Sequence, residues 1–283
     1  MCWCDPWPQL SKSGENVSTV YWSRTDDRKE FAKRVLSVFG LEICKAQTFL
    51  IKPNLVSSEC YPTTTHPDLL DVVLELLSGK DVLVADAPAI DAGSPRRIIE
   101  NSPLKEVCDS HGFPFLNLYE TKAKTFVSVR GYRFNMFTLP LERDMVISLP
   151  VLKTHNWCQM TGALKNQFGY LSRRDRILMH LRMRDIHKGI AELGIMAKAH
   201  VFIVDAVQTL IGAQEARHGG KARDLGYLLA GTDPVSLDCF GLKLLQEVEP
   251  KLQGRSPEDI LYLKYSLDYH VGSKKFEAEE ITV

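Results

Sequence analysis

The sequence lacks the loops with which common α/β enzymes hold a cofactor or a nucleophile. No G-x-G-x-x-G motif follows the first predicted strand, and the chain contains neither a Walker lysine loop nor a G-x-S-x-G elbow. These absences exclude an ordinary dinucleotide-dependent dehydrogenase, a P-loop nucleotidase and an α/β-hydrolase. Chemistry must therefore be sought among lysines, histidines and carboxylates.

The chain also lacks an excess of charge of one sign. Lys+Arg and Asp+Glu number 35 each, so the whole-chain field favours neither nucleic acid nor an anionic membrane. No apolar run reaches the roughly 18–20 residues that a membrane span requires. We therefore expect a small anionic metabolite as partner, no nucleic acid and no membrane. A homodimer is one alternative for the oligomeric state.

Paired cysteines are a third absence. The seven cysteines are scattered and odd in number, which favours reduced thiols in the cytoplasm. Cys2 and Cys4 are close, but no second pair completes a metal knuckle, and the C-x₂-C-x₂-C iron–sulfur spacing does not occur. Residues 1–16 lack the cationic start and apolar centre of a secretory signal and are predicted to be a flexible tail. Residues 17–283 are predicted to form a single α/β domain.

Apolar runs that alternate with amphipathic segments predict an α/β fold. Strands that are continuously apolar are typical of a mostly parallel sheet with helices on both faces. Two subdomains around a crevice at the strand ends are one arrangement of such a sheet. The alternating pattern of residues 124–139 predicts a hairpin around Arg130-Gly131-Tyr132, and residues 176–197 are predicted to be mainly helical.

Four of the apolar runs end in a charged residue. The runs are residues 49–52, 82–86, 146–153 and 201–205, and their last residues are Lys52, Asp86, Lys153 and Asp205. In open α/β sheets, ligands bind outside the carboxyl ends of the strands. The repetition therefore predicts a polar crevice shared by these strand ends.

The candidate catalytic residues follow the third of these runs. His155 and His180 could carry a proton near neutral pH or bind a metal. Lys153 and Lys165 could serve as a base or a nucleophile if burial lowers their pKa. The structural alternative is that His155 only makes hydrogen bonds at a strand end and Lys165 is a surface cation.

A second group of polar residues predicts the substrate-binding side of the crevice. Three threonines precede a helix that begins near Pro67, where hydroxyl and backbone N–H groups could hold an anion. Plain helix capping is the alternative, but it requires only one hydroxyl. The predicted substrate-binding residues are Lys52, Asn54, Thr64, Thr65, His66, Asn166 and His218, the last in a loop that could close over the site.

The carboxylates and the arginine cluster each have two interpretations. Asp86 and Asp205 could hold a divalent metal ion or orient a histidine, whereas Asp233 before Pro234 is typical of a helix cap. The cofactor stays open, with a divalent metal ion as one alternative. The cluster around Arg173-Arg174-Asp175-Arg176 is either a solvated helix face or a rim of positive charge around an anionic substrate.

Several blocks of the chain resemble the domain-of-unknown-function family 362 over about residues 48–245. Many members of that family carry an appended ferredoxin-like iron–sulfur segment, whose spacing is absent here. The resemblance is carried by Lys52-Pro53-Asn54-Leu55-Val56, Thr65-His66-Pro67, Asp86 with Gly93, Leu149-Pro150-x-Leu152-Lys153-Thr154-His155, Thr161-Gly162-Ala163-x-Lys165-Asn166-x-Phe168-Gly169, Val204-Asp205-Ala206 and Ala230-Gly231-x-Asp233-Pro234-Val235-x-x-Asp238.

The chain is more distantly similar to the catalytic domain of the lactate racemase family. That family places a histidine, a lysine ten residues on and a second histidine about fifteen further, after a Thr-Arg-Pro motif; His155, Lys165 and His180 repeat the spacing. There the lysine tethers a nickel-pincer nucleotide, and the histidines bind nickel or move protons. This sequence has His66 in place of the arginine and lacks the Gly-Gly-Arg around the lysine.

Together these observations predict an enzyme that acts on a small anionic, carboxylate-type substrate. Lys165, His155 and His180 would carry proton transfer or metal ligation in an isomerisation, an elimination or a group transfer. Two alternatives from other classes are a metal- or iron–sulfur-associated redox protein without turnover of its own and a non-catalytic metabolite-binding module.

Overall fold

The structure is a computed structural model that describes residues 17–197 and 199–283, so the predicted tail of residues 1–16 lies outside the described residues. Its centre is an eight-stranded sheet. In chain order the sheet contains β1 (Ser18–Arg24), β2 (Thr48–Pro53), β3 (Asp81–Asp86), β4 (Phe115–Asn117), β7 (Met145–Leu149), β10 (Val201–Ile211), β11 (Lys221–Gly231) and β12 (Phe276–Glu280). Two separate ribbons pair β5 (Ala123–Val127) with β6 (Arg133–Phe137) and β8 (Lys153–His155) with β9 (Gln159–Thr161).

The main sheet confirms the predicted α/β class. Its strand order is β12-β1-β11-β10-β7-β2-β3-β4. Neighbours from β10 to β4 pair in parallel, whereas β11 runs antiparallel to both β10 and β1. The carboxyl ends of β2, β3 and β7 therefore meet at one edge of the sheet.

Helices cover both faces of this sheet. They are α1 (Arg28–Val38), α2 (Gly40–Lys45), α3 (Pro67–Leu76), α4 (Pro95–Glu100), α5 (Pro103–Ser110), α6 (Ala163–Asn166), α7 (Arg173–His180), α8 (Ile186–Met196), α9 (Pro234–Val248) and α10 (Leu261–Asp268). Successive residues of β2 divide between two cores: Phe49 and Ile51 pack with α1 and α3, and Leu50 packs with α6, α8 and α9. The division follows from the two-residue repeat of a strand.

Proline at the first helical position fixes several helix starts. His66, Ser94 and Asp233 each accept a hydrogen bond from the first turn of the helix that follows them. Proline suits this position because its missing N–H has no intrahelical acceptor there. The predicted start near Pro67 and the capping role of Asp233 are confirmed.

Three boundaries differ from the sequence prediction. β7 ends at Leu149, so Lys153 lies in the separate strand β8. β10 continues beyond Asp205 to Ile211 because it pairs with β11 in a long antiparallel hairpin, with a register shift between Ala206 and Gln208. The predicted helical stretch 176–197 is two helices, interrupted after His180 by a turn that contains Arg182 at φ 58°.

The predicted hairpin of residues 124–139 is confirmed as β5–β6. Gly131 adopts φ 76° in its turn, a conformation that glycine adopts without steric cost. Among the described residues, no helix combines the length and the apolar character needed to cross a bilayer.

Candidate functional site

A cavity of about 580 Å³ lies at the carboxyl ends of β2 and β3. The turn around β8 and β9 forms a second wall of the cavity. The remaining walls are formed by α6, α7 and the loop after β10. Nine of the predicted site residues line it: Lys52, Asn54, Asp86, Lys153, His155, Lys165, Asn166, His180 and His218.

Lys52 and Asp86 form a neutral pair in one wall of the cavity. Their side chains are almost fully buried, and Lys52 Nζ lies 2.6 Å from Asp86 Oδ1. The carboxylate also accepts the backbone N–H of Leu55 and of Ala87. Gly169 packs so closely that a Cβ there would lie 2.7 Å from Lys52 Cε and 2.8 Å from Asp86 Oδ1. The pair is therefore structural and already neutralised.

Lys153 is buried, and no carboxylate among the described residues forms an ion pair with it. Its Nζ donates to the carbonyl oxygen of Thr63. Burial lowers the pKa of Lys153 to about 7, with Glu215 and Lys165 acting in opposite directions on it. An amine with such a pKa exists in both protonation states near neutral pH, so it can accept or release a proton.

Lys165 lies in the short helix α6, and the side chain of Asp238 binds the start of this helix. Asp238 accepts the backbone N–H of Ala163 at 2.6 Å and of Leu164 at 3.3 Å, at the first turn of α6. A side chain at Gly162 would overlap this carboxylate, so only glycine fits. Lys165 Nζ lies 4.7 Å from the centre of the Phe168 ring, and burial lowers the pKa of Lys165.

The hydrogen bonds of His155 fix its tautomer. Nδ1 accepts the backbone N–H of Trp157 at 3.0 Å and of Cys158 at 3.2 Å. Because Nδ1 is an acceptor, the neutral ring carries its proton on Nε2. Burial, together with the nearby Lys165 and His180, holds the pKa of His155 well below its usual value. The side chain is therefore a neutral N–H donor.

His180 has the opposite tautomer. Its Nδ1 lies 2.7 Å from the carbonyl oxygen of Arg176, which can only accept, so Nδ1 carries the proton. Burial lowers the pKa of His180, and Lys165 and Arg176 lower it further against the raising effect of its own hydrogen bond. Nε2 therefore carries a lone pair. The cavity thus holds one imidazole, His155, that donates a hydrogen bond and one, His180, that accepts a hydrogen bond or a proton.

Arg176 is the most informative cavity residue outside the predicted site residues, because the sequence pattern indicates it only as part of a charged cluster with two interpretations. It is 4% exposed and lines the cavity. Its Nη1 donates to the carbonyl oxygens of Ala87 and Pro88 and to the hydroxyl of Tyr119, whereas Nε and Nη2 have no partner among the described residues. Nε and Nη2 together form the edge of a guanidinium that binds carboxylates in a bidentate manner.

A signal for Arg176 was present in the sequence. Arg176 and His180 are four residues apart, so on a helix they share a face. The solvated-face interpretation holds for Arg173 and Arg174, which are exposed, and is wrong for Arg176.

The cavity carries more positive than negative charge. Asp91 and Glu215 at the opposite wall both pair with Arg217, at 3.0 and 2.7 Å, and both lie near His218. Asp86 is neutralised by Lys52. Lys153, Lys165 and Arg176 form no ion pair with any residue in the described part of the chain, which favours an anionic ligand.

Four predicted site residues do not line the cavity. Asp205 is fully buried elsewhere, with Oδ2 2.6 Å from Arg28 Nε and Oδ1 2.7 Å from the Tyr61 hydroxyl. Its placement at a shared crevice with Asp86 was wrong, because β10 continues past it. Thr65 donates to the carbonyl oxygen of Leu149, and His66 caps α3.

The hydroxyl of Thr64, the fourth residue outside the cavity, is buried without a hydrogen-bond partner among the described residues. We have no physical account of it.

The described residues do not fit a cluster-bound metal. Within residues 17–197 and 199–283, no group of three or more His, Cys, Asp or Glu side chains could hold a metal ion. Burial raises the pKa of Cys158 beside the cavity to about 11, so its thiol stays protonated at neutral pH. We therefore derive no step through a metal or through a thiolate.

Comparison with known proteins identifies similarity at the level of both sequence and structure. The chain is 28% identical over 212 residues to the thylakoid-associated protein sll1697 from Synechocystis sp., a match that covers 70% of this chain and 62% of the relative. The chain thus spans less than two thirds of that protein. The lactate racemase apoprotein from Thermoanaerobacterium thermosaccharolyticum has a similar fold, with a TM-score of 0.53 and 13% identity over 81% of this chain and 57% of that chain.

The family comparison covers the part of the chain that contains most of the residues lining the cavity. The family model described as Domain of unknown function (DUF362) matches residues 49–243. That range contains Lys52, Lys153, Lys165, His155 and His180. The chain therefore belongs to the DUF362 family.

Proposed function

We propose that the chain is an enzyme that moves a proton on a small anionic, carboxylate-type substrate bound in this cavity. The observation that carries the proposal is the pair of histidines in opposite tautomers beside three basic side chains that form no ion pair with any described residue. Enzymes of this kind place one acid and one base at a substrate whose charge is already neutralised.

Each group has a distinct role in the proposed reaction. Arg176 and Lys165 bind the carboxylate of the substrate and neutralise its charge. His180 Nε2 takes a proton from the adjacent carbon, while His155 Nε2–H donates a hydrogen bond to the oxygen on which negative charge develops. Return of the proton to the opposite face of that carbon, or to a different carbon, gives isomerisation, and loss of a group from the next carbon gives elimination.

Solvent exchange tests the proposal even when the product is unidentified. Small carboxylic acids that have a hydrogen on the carbon beside the carboxylate, such as 2-hydroxy acids, are incubated one at a time with the protein in heavy water, and deuterium uptake at that carbon is followed by NMR. We expect exchange for at least one class of acid and a loss of roughly 10²–10⁴-fold in His180→Asn and in His155→Asn.

His270→Asn is the matched control for the histidine variants. His270 is exposed and has φ 56°, a conformation that asparagine tolerates, so exchange should persist. Equal exchange in His180→Asn and the wild type would contradict the assignment of the base. Carboxylate binding without exchange in any acid would favour the alternative of a non-catalytic binding module.

Lys165→Ala separates the catalytic role of this lysine from a structural one. We expect loss of exchange with an unfolding free energy equal to or above that of the wild type, because a buried cation without a counter-ion destabilises the fold. A fully active Lys165→Ala protein would refute the role.

A further inference from the structure

A basic surface adjoins the cavity, and apart from Arg176 and His180 its side chains have no part in the proposed chemistry. It consists of residues 121–141, which include the hairpin β5–β6, and residues 173–184, which include α7; we name these two segments the basic lobe. Arg184 Nη1 donates to the carbonyl oxygen of Arg133 at 2.7 Å, and the backbone N–H of Asn135 donates to Asp175 at 2.9 Å. The two segments therefore form one continuous surface.

The basic lobe has an excess of positive charge, which acidic residues elsewhere in the chain balance. Residues 121–141 contain four basic residues and no acidic residue, and residues 173–184 contain five arginines and one aspartate, although the full chain has no net charge. That aspartate, Asp175, is buried and neutralised by Arg184. The exposed basic side chains are Lys122, Lys124, Arg130, Arg133, Arg173, Arg174 and Arg182.

Two apolar tips project from this basic surface. Val129 at the end of the hairpin is 96% exposed, and Val127 beside it is 63% exposed. Leu181 and Met183, in the turn after α7, are 64% and 70% exposed. The hairpin tip is held in place, because the Ser128 hydroxyl accepts two backbone N–H groups of the turn. Exposed aliphatic side chains on an ordered turn are typical of an interaction surface.

We propose that the basic lobe docks on the surface of an anionic lipid bilayer. Aliphatic tips that enter the interface, surrounded by arginine and lysine that attract anionic headgroups, are the two features that peripheral membrane binding requires. The neutrality of the whole chain predicted no membrane partner, but it conceals this segregation of charge.

Arg182 also stacks on Trp157, which lines the cavity, with 4.7 Å to the ring. The docking surface therefore borders the opening of the site.

Other occupants fit the surface less well. A second copy related by two-fold symmetry would bring two basic surfaces face to face, and the like charges would repel. A nucleic acid would neutralise the arginines, but its phosphates would leave the valine, leucine and methionine tips exposed. A bilayer satisfies the charge and the apolar tips together.

Sedimentation with vesicles tests the proposal on the full chain. The probes are vesicles of phosphatidylcholine alone and vesicles that also contain phosphatidylglycerol. We expect binding to the second kind only, weakened by added salt. Lys122→Gln with Lys124→Gln and Arg174→Gln should weaken binding roughly a hundredfold, since each surface charge contributes roughly fivefold. Leu181→Ser with Met183→Ser should weaken it at least roughly tenfold.

Val38→Ser and Lys33→Gln are the matched controls. Both residues are exposed on α1, which packs on the other face of the sheet from the core of β5–β6, so binding should not change. Because every substituted residue is exposed, the unfolding temperature should stay the same in all variants.

Three results would overturn the proposal. The first is no binding, or equal binding, to the two kinds of vesicle. The second is self-association in sedimentation velocity that the Leu181→Ser, Met183→Ser variant abolishes, which would assign the surface to a second copy. The third is binding of a DNA duplex that depends on the three charges and not on the apolar tips.

Discussion

A comparison of two buried arginines at different places in this fold shows how a structural cation differs from a candidate for ligand binding. Arg28 is 8% exposed and lies over the Tyr61 ring at 4.7 Å; Arg176 is 4% exposed and lies over the Tyr119 ring at 5.3 Å. Arg28 donates from two nitrogens to Asp205, which neutralises it. Arg176 meets only neutral oxygens and keeps one edge without a partner among the described residues. The charge of Arg28 is neutralised by a carboxylate of the chain, whereas the charge of Arg176 has no such partner among the described residues.

The difference matters because an unpaired buried donor costs free energy. Leaving such a group without a hydrogen bond costs about 1–3 kcal/mol, and more if it is charged. When the unpaired donor lies beside a cavity, this free-energy cost is offset only if a bound ligand provides the missing acceptor. Arg28 therefore serves stability, and Arg176 is the better candidate for binding.

The largest effect should come from removing the counter-ion of Arg28. In Asp205→Asn the guanidinium stays buried without a negative partner, and the unfolding free energy should fall by about 3–5 kcal/mol. Urea denaturation measures this change. The exposed Arg34–Glu30 pair is the control, since Glu30→Gln should cost less than about 1 kcal/mol. Similar small losses in both variants would show that Arg28 does not depend on its carboxylate partner.

A smaller effect, on binding rather than on folding, should follow from Arg176→Lys. The ammonium can still donate to the carbonyl oxygens of Ala87 and Pro88, but it cannot present two parallel N–H groups. We expect the affinity for a small carboxylate such as lactate, measured by calorimetry, to fall by about tenfold to a hundredfold. Arg174→Lys, on the exposed side of the same helix, should bind as the wild type does. If Arg176→Lys binds equally well, the unpaired edge does not hold the substrate.

The smallest effect is the pH dependence that Lys153 adds to stability. The pKa of Lys153 falls from 10.5 to about 7 on folding. Between these values the unfolded chain binds more protons than the folded one, so the contribution of Lys153 to stability rises with pH by at most about 1.4 kcal/mol per pH unit. The unfolding free energy of the wild type minus that of Lys153→Met should therefore increase from about pH 7 to pH 9, as measured by urea denaturation.

The exposed Lys264 provides the control for that series. The difference between the wild type and Lys264→Met should stay constant over the same range of pH. A constant difference for Lys153→Met as well would mean that burial does not lower the pKa of Lys153.

Local signals in the sequence predicted much of the fold. The starts of α3 and α4 depend on a capping residue followed by proline, which are neighbours in the chain. The apolar runs of β2, β3 and β7 depend only on burial of both faces of the sheet. The same local signals placed Lys52 and Asp86 at strand ends, and the structure places both at the cavity.

Long-range pairing explains where the prediction went wrong. β10 continues past Asp205 because β11 pairs with it, and no local pattern indicates that hairpin. As a result the carboxylate meets Arg28, which is 177 positions away in the sequence. Arg173, Arg174 and Arg176 are indistinguishable as residue types, but only the last is turned into the cavity by the contacts of α7.

The sequence by itself determined the class of the fold, the order of its strands and helices, and most of the polar residues that gather at one edge of the sheet. Periodicity, helix caps and strand ends are properties of neighbouring residues, so they can be recognised without a structure. Only the tertiary structure decided which cation is neutralised and which is not, and which nitrogen of each histidine carries the proton. Those properties depend on hydrogen bonds and ion pairs between distant segments, which exist only after the chain has folded.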